Sequence, residues 1–241
     1  MPLVMLAWGG DAFGYRPFDG TDAAIAELGL MEIELGPAQY AIVGPDRTLF
    51  APDVVLNFGI ADRWELVLEG SLAKGLLPDS PPARLIGNGL FLKGVLREGS
   101  LQEKSGPSIA TEFGFLLPDI GSGDPTGTGG SLAAIVSQRW AELTIHINTG
   151  VALTRQQHAD LAFSTIIEGP NEWTVRPVAE FFYERDFGGS ETGSALLGAI
   201  WRVRDNITFD VGVRAGWVDG QPLREVRAGV TFGFGAFAFH R

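Results

Sequence analysis

Cysteine is absent from the 241-residue chain. A disulfide framework, a cysteine-ligated zinc site and a thiol nucleophile are therefore excluded. Histidine is nearly absent, with three residues, which excludes a histidine-rich metal site. No Lys/Arg-rich run occurs. The net charge of −11 and a pI near 4.7 would repel nucleic acid over most of the surface. Long hydrophobic runs are missing as well. No uncharged apolar stretch approaches the roughly 18 residues of a transmembrane helix, although 45% of residues are hydrophobic. Charges are scattered singly rather than in blocks, which argues against disorder.

What the chain has in excess is glycine, 33 residues, about twice the usual share of roughly 7%. Spread among Val, Leu, Ile and Phe, it suits many strands and turns. The stretch Leu143–Thr154, "LTIHINTGVALT", shows the dominant pattern. Leu143, Ile145, Ile147, Val151 and Leu153 share one parity; Glu142, Thr144, His146 and Asn148 share the other. Side chains alternate faces along a strand, so one face is apolar and the other polar.

The same alternation recurs around Ile33, Phe58, Leu66, Leu92, Phe113, Leu161, Phe181, Trp201, Val211 and Val230, and more weakly over Leu132–Gln138. This predicts about twelve strands of roughly 8–11 residues, close to the span of a tilted membrane strand. No long helical pattern intervenes. "TDAAIAELG", from Thr21 to Gly29, reads as a short helix or a plug.

Connection length adds a second signal. "GIAD", "RWA", "EGPN" and "RDN" are short; "PAQYAIVGPDRTLFAP", "AKGLLPDSPPARLIGN", "PDIGSGDPTGTGG" and "RDFGGSETGS" are long. The two classes largely alternate, with "REGSLQEKSGP" overlong and "RQQH" short for their classes. Outer-membrane barrels have short periplasmic turns and longer external loops. Aromatic placement adds a third. Trp64, Trp140, Trp173 and Trp201 lie beside short connections, and Tyr183 and Trp217 beside long ones. Such rings form girdles at membrane interfaces, where an apolar ring meets a polar N–H or O–H.

The apolar faces carry no Lys, Arg, Asp or Glu. A lipid-facing exterior around a polar lumen satisfies both faces, and closure removes strand edges that hydrocarbon cannot hydrate. The fold class is therefore all-β, a transmembrane antiparallel up-and-down barrel of about twelve strands. Residues 1–28 form an N-terminal segment that plugs the lumen in part, and 29–241 the barrel, with both termini periplasmic. Residues 1–10 read equally as a signal-peptide remnant or as an ordinary apolar start. At the other end, Phe239 is followed by His240 and Arg241, which displaces the terminal aromatic read by the barrel-assembly machinery.

Parity assigns to the lumen Glu32, Glu34, Glu65, Glu69, Lys93, Arg97, Glu112, His146, Asn148, Arg176, Glu180, Asp210, Arg214 and Arg227. Carboxylates at this spacing can serve as acid and base or bind Ca²⁺. The favoured reading is an ion ladder, with Glu32, Glu34, Glu65 and Glu69 paired to Arg63, Lys93 and Arg97. A catalytic reading of His146 with Asn148 and Ser137 needs nucleophile, base and orienter within hydrogen-bond reach. Both His146 and Asn148 face inward, away from lipid, and no serine sits two residues after the histidine. His146 is thus expected to be a satisfied interior residue. The glycine-rich Gly121–Gly130 lacks the lysine of a phosphate loop. No catalytic residue, metal or cofactor is expected.

"FDGTDAAIAELGLMEIELG", "LFAPDVVLNFGIADRWELVLEG" and "LTIHINTGVAL" together resemble a family of Gram-negative outer-membrane proteins, the transporter-like phenol-degradation meta-pathway family. The resemblance runs from about Phe18 to the carboxyl end. It implies a barrel and uptake of small hydrophobic or aromatic compounds, and it carries over no catalytic residue.

The expected function is a passive outer-membrane channel or uptake protein for small molecules. Its partners would be membrane lipid, a small solute and the assembly machinery. A predominance of acids in the lumen favours cations, and twelve strands leave it narrow. The alternatives are a closed structural or adhesive barrel, an outer-membrane lipid hydrolase and a soluble lipocalin-like binder.

Overall fold

The computed structural model describes residues 15–121 and 126–235. Twelve strands follow one another around a closed barrel: β1 Leu30–Val43, β2 Asp46–Ala61, β3 Trp64–Gly75, β4 Arg84–Arg97, β5 Ser108–Leu116, β6 Gly129–Arg139, β7 Thr144–Leu153, β8 Ala159–Glu168, β9 Val175–Asp186, β10 Glu191–Arg204, β11 Ile207–Val218 and β12 Gln221–Gly235. Each pairs antiparallel with its neighbours in sequence, and β1 pairs with β12 from Leu30↔Gly235 to Val43↔Leu223. That last seam leaves no unpaired edge, as hydrocarbon requires.

The period-2 pattern decides which side chains face out. Leu197 is 65% exposed and Phe115 60%, with Phe181, Val213, Leu132 and Val151 exposed beside them. The interior is polar instead. Glu34, Glu65, Lys93, Glu180, Arg214 and Arg227 are all buried, and among the described residues Ala23, Ala110 and Ile135 form a small buried apolar cluster with Leu101 against it. An apolar exterior around a charged interior inverts a soluble protein. The chain is a transmembrane β-barrel of the outer-membrane kind.

Several elements differ from the sequence pattern. The long first connection does not exist: β1 and β2 run through it, and only residues 44–45 turn, with Gly44 at φ 55. The stretch read as a loop begins at Pro37 and ends at Pro52, two residues that cannot donate to a ladder. Both lie in register irregularities, between Leu35 and Ala38 and between Phe50 and Asp53, where a bulge excuses the missing donor.

Loop length also separates the two rims poorly. One rim carries 44–45, 76–83, 117–128, 154–158, 187–190 and 219–220, and the rim holding both barrel ends carries 62–63, 98–107, 140–143, 169–174 and 205–206. Long strands, rather than long loops, build much of the first rim. The segment 98–107 folds inward through a 3₁₀ turn at Ser100–Gln102, where Ser100 Oγ accepts from the Arg139 backbone N–H at 2.8 Å. Residues 1–14, with the proposed signal remnant, and 236–241, with Phe239, lie outside the described residues.

Candidate functional site

Residues 15–29 enter the barrel and cross its interior. They form no helix. A helix would need its own backbone N–H groups, and here the wall takes them. Arg16 N donates to Glu34 at 3.1 Å, Asp19 N and Gly20 N to Glu180 at 3.0 and 2.8 Å, and Thr21 N to Asn148 at 3.1 Å. Ala23 N donates to Ser137 Oγ at 2.9 Å and Ala26 N to Glu65 at 2.6 Å. Glu34, Glu65, Asn148 and Glu180 thus act as acceptors for a peptide backbone, and up to Ala26 the segment gains ladder-like satisfaction without joining the sheet; Gly29 N then donates to the Gly59 carbonyl of β2 at 2.9 Å.

Charge pairing follows the same route. The Asp19 carboxylate sits between Arg214 and Arg227, with Arg227 Nη1 at 3.0 Å. Arg16 pairs with Asp53, and its Nε lies 3.7 Å from Asp210. Lys93 lies 3.4 Å from Glu65 and 3.5 Å from Asp22. Arg227 also holds Glu225. The ion ladder is therefore a web threaded through the segment. Of its three expected cations only Lys93 takes part. Arg63 is exposed and pairs with half-buried Glu98, and Arg97 is exposed, bonded to the Pro107 and Ser105 carbonyls of the 98–107 connection. The bulge between Val95 and Arg97 marks where β4 leaves its regular register.

Wall glycines make room for the segment. A Cβ on Gly59 would lie 1.9 Å from the Glu27 carbonyl oxygen, and one on Gly229 2.3 Å from Arg16 Nε. One on Gly36 would lie 2.7 Å from the same guanidinium. Beside the segment remains a cavity of about 270 Å³. Glu69, Glu112, Asp53 and Glu34 line one side, and Ala133, Gly150 and Ala162 the other. Glu32, on β1, is buried in the same wall.

His146 has closer company than its sequence neighbours suggested. Its Nδ1 lies 2.8 Å from Ser137 Oγ and its Nε2 3.0 Å from Glu168 Oε1. Arg176 Nε reaches the other Glu168 oxygen at 2.6 Å. Serine, imidazole and carboxylate do stand within hydrogen-bond reach, which the sequence spacing gave no reason to expect. Cross-strand register does it: Ser137↔His146 and Thr144↔Glu168 are paired positions. Ser137 is nonetheless fully buried, and its oxygen already accepts from Ala23.

Sequence reasoning placed the segment in the lumen but gave Arg16, Asp19 and Asp22 no partners there, and it missed Glu168 and Glu225 as partners. The available signal was the charge in Arg16–Asp22, set just ahead of the first strand. The aromatic set lies outside. Trp140, Trp173, Trp201 and Trp217 are exposed, as are Trp64 and Tyr183 to a lesser degree. Trp64 packs edge-on against Phe113, and Trp201 lies tilted against Phe209.

No protein-family model matches the chain, and no curated protein matches its sequence. Solved structures do. The chain is similar to the COG4313 outer membrane channel from Pseudomonas putida F1, with TM-score 0.63 and 9% identity over 90% of this chain and 100% of that one. It is similar to the NanC porin, with TM-score 0.59 and 9% identity over 84% and 98%. It is also similar to the KdgM porin, with TM-score 0.55 and 13% identity over 87% and 99%. These likenesses show the fold, a barrel shared with outer-membrane channels.

Proposed function

We propose that the protein is an outer-membrane channel for small molecules whose interior is occupied by its own residues 15–29. The observation that carries this reading is how that segment is held. It is bound by side-chain hydrogen bonds and ion pairs, while the sheet is closed without it. Lifting it out breaks no strand pairing and leaves a polar passage lined by Glu34, Glu65, Glu69, Asn148 and Glu180. Such walls suit polar solutes. Passage of hydrophobic or aromatic compounds rests on the resemblance to the phenol-degradation meta-pathway family, and membership of that family is part of the same proposal.

The closed structural barrel is favoured by one observation, the pairing of the buried cations Arg16, Lys93, Arg214 and Arg227 with carboxylates of the wall. One experiment separates the two. The chain has no cysteine, so Ala23→Cys with Ser137→Cys introduces a single bridge between segment and wall. In planar bilayers the oxidised form should be silent and the reduced form should conduct. Absence of both conductance and liposome flux in the reduced form would sink the channel.

A further inference from the structure

Asp19 presents two groups to the wall at once. Its carboxylate goes to Arg214 and Arg227, and its backbone N–H goes to Glu180 at 3.0 Å. The three wall residues form one cluster, since Arg214 Nη2 lies 3.2 Å from Glu180 Oε2. Ser164 donates to Glu180 Oε1 at 2.8 Å and fixes the carboxylate, while the Phe182 ring lies 5.9 Å below the Arg214 guanidinium. Counting Glu225 on Arg227, two cations face two anions, so the wall cluster is neutral before Asp19 arrives.

A cluster of this kind discriminates by what it leaves unpaired. An anion alone satisfies the arginines and forfeits the donors that Glu180 accepts. A cation alone does the reverse. The wall charges keep one another as partners either way, but a ligand with one group leaves buried hydrogen-bonding capacity unused on one side of the cluster, and that costs free energy. The group now bound satisfies both: in Asp19 the N–H and the carboxylate are joined through Cα and Cβ. That framework is the framework of a 3-amino acid.

We propose that Arg214, Arg227 and Glu180 form a binding site for small zwitterionic amino acids of the β-alanine type, and that Asp19 is the chain's own stand-in for that ligand. The site deepens the channel reading, on which its transport role rests, by naming the solute class. The solute carboxylate takes the place of the Asp19 carboxylate between the two arginines. The solute ammonium replaces the Asp19 and Gly20 N–H groups on Glu180. The 270 Å³ cavity, lined by Asp19, Gly20, Ser164 and Phe182 among others, borders the residues that cover the seat and fix Glu180.

The test uses the full chain carrying Asp19→Pro and Gly20→Pro, which takes the carboxylate from the arginines and both backbone donors from Glu180. Equilibrium binding of radiolabelled β-alanine is measured in detergent, and flux in liposomes. Propionate, ethylamine and glycerol serve as controls, and heat-modifiable mobility confirms that every variant folds. Binding of β-alanine should exceed that of propionate and ethylamine by about tenfold, the scale of one charge-assisted contact. Adding Glu180→Gln or Arg227→Gln should remove the preference. No binding, or binding indifferent to both substitutions, overturns the site whatever the flux shows. Binding without flux of any solute upholds the site and overturns the channel reading.

Discussion

The Ala23 backbone N–H donates to Ser137 Oγ at 2.9 Å, joining the entering segment to β6. The same oxygen lies 2.8 Å from His146 Nδ1, and the chain continues through His146 Nε2 to Glu168 and Arg176. With Ala23 donating in, the serine proton is free for Nδ1, and Nε2–H goes to Glu168. Every member then has a partner. His146→Leu should break the relay and leave Ser137 and Glu168 each one partner short. The expected cost is about 1–3 kcal/mol, read from urea unfolding in detergent. Ester hydrolysis and serine-directed probe labelling should be at background in the parent protein, because Ala23 already occupies the oxygen a substrate would have to meet.

Gly59 sets a steric condition on the segment. Its missing Cβ leaves room for the Glu27 carbonyl, which would otherwise lie 1.9 Å away. Gly59→Ala should push residues 15–29 out of place while the barrel still closes, since β1–β2 and β2–β3 pairing do not involve that face. Limited proteolysis in detergent should then cut within the segment several times faster than in the parent. Unchanged protection would show that the seat tolerates a side chain there.

Asp19 predicts a pH window. Burial alone would raise its carboxyl, yet Arg227 and Arg214 outweigh that and hold it down from 3.8 to about 2. A lowered folded value means the ion pairs stabilise the seated segment fully above about pH 4 and lose that contribution as pH falls towards 2. Asp19→Asn should therefore conduct more than the parent at neutral pH, and the difference should vanish near pH 2. A difference that vanishes above pH 5 would place the latch elsewhere.

These consequences were only partly legible in the sequence. Parity alone located the strands and sorted Leu197 outward and Glu180 inward, because a closed two-faced sheet enforces strict alternation. Pro37 and Pro52 hid the length of β1 and β2, since a bulge cannot be read from one strand without its partner. The Ser137–His146–Glu168 contact depends on the register of three strands, which no local pattern fixes. Arg16, Asp19 and Asp22 precede any periodic segment. Their role appears only once the barrel has closed around them.

Leu197 provides the sharpest test of the bilayer itself. It lies mid-strand in β10, opposite Ala179 and Val213, and is 65% exposed. On a soluble barrel an exposed leucine exchanged for arginine changes stability by less than about 0.5 kcal/mol. Facing lipid near the midplane, the same exchange costs about 2–4 kcal/mol, because hydrocarbon offers the guanidinium neither water nor an acceptor. Leu197→Arg should accordingly lower the unfolding free energy in phospholipid vesicles by that amount. Glu142→Arg, in the 140–143 turn at the rim, should leave it nearly unchanged. Equal, small effects at both positions would remove Leu197 from the lipid face and with it the physical basis of the transmembrane assignment.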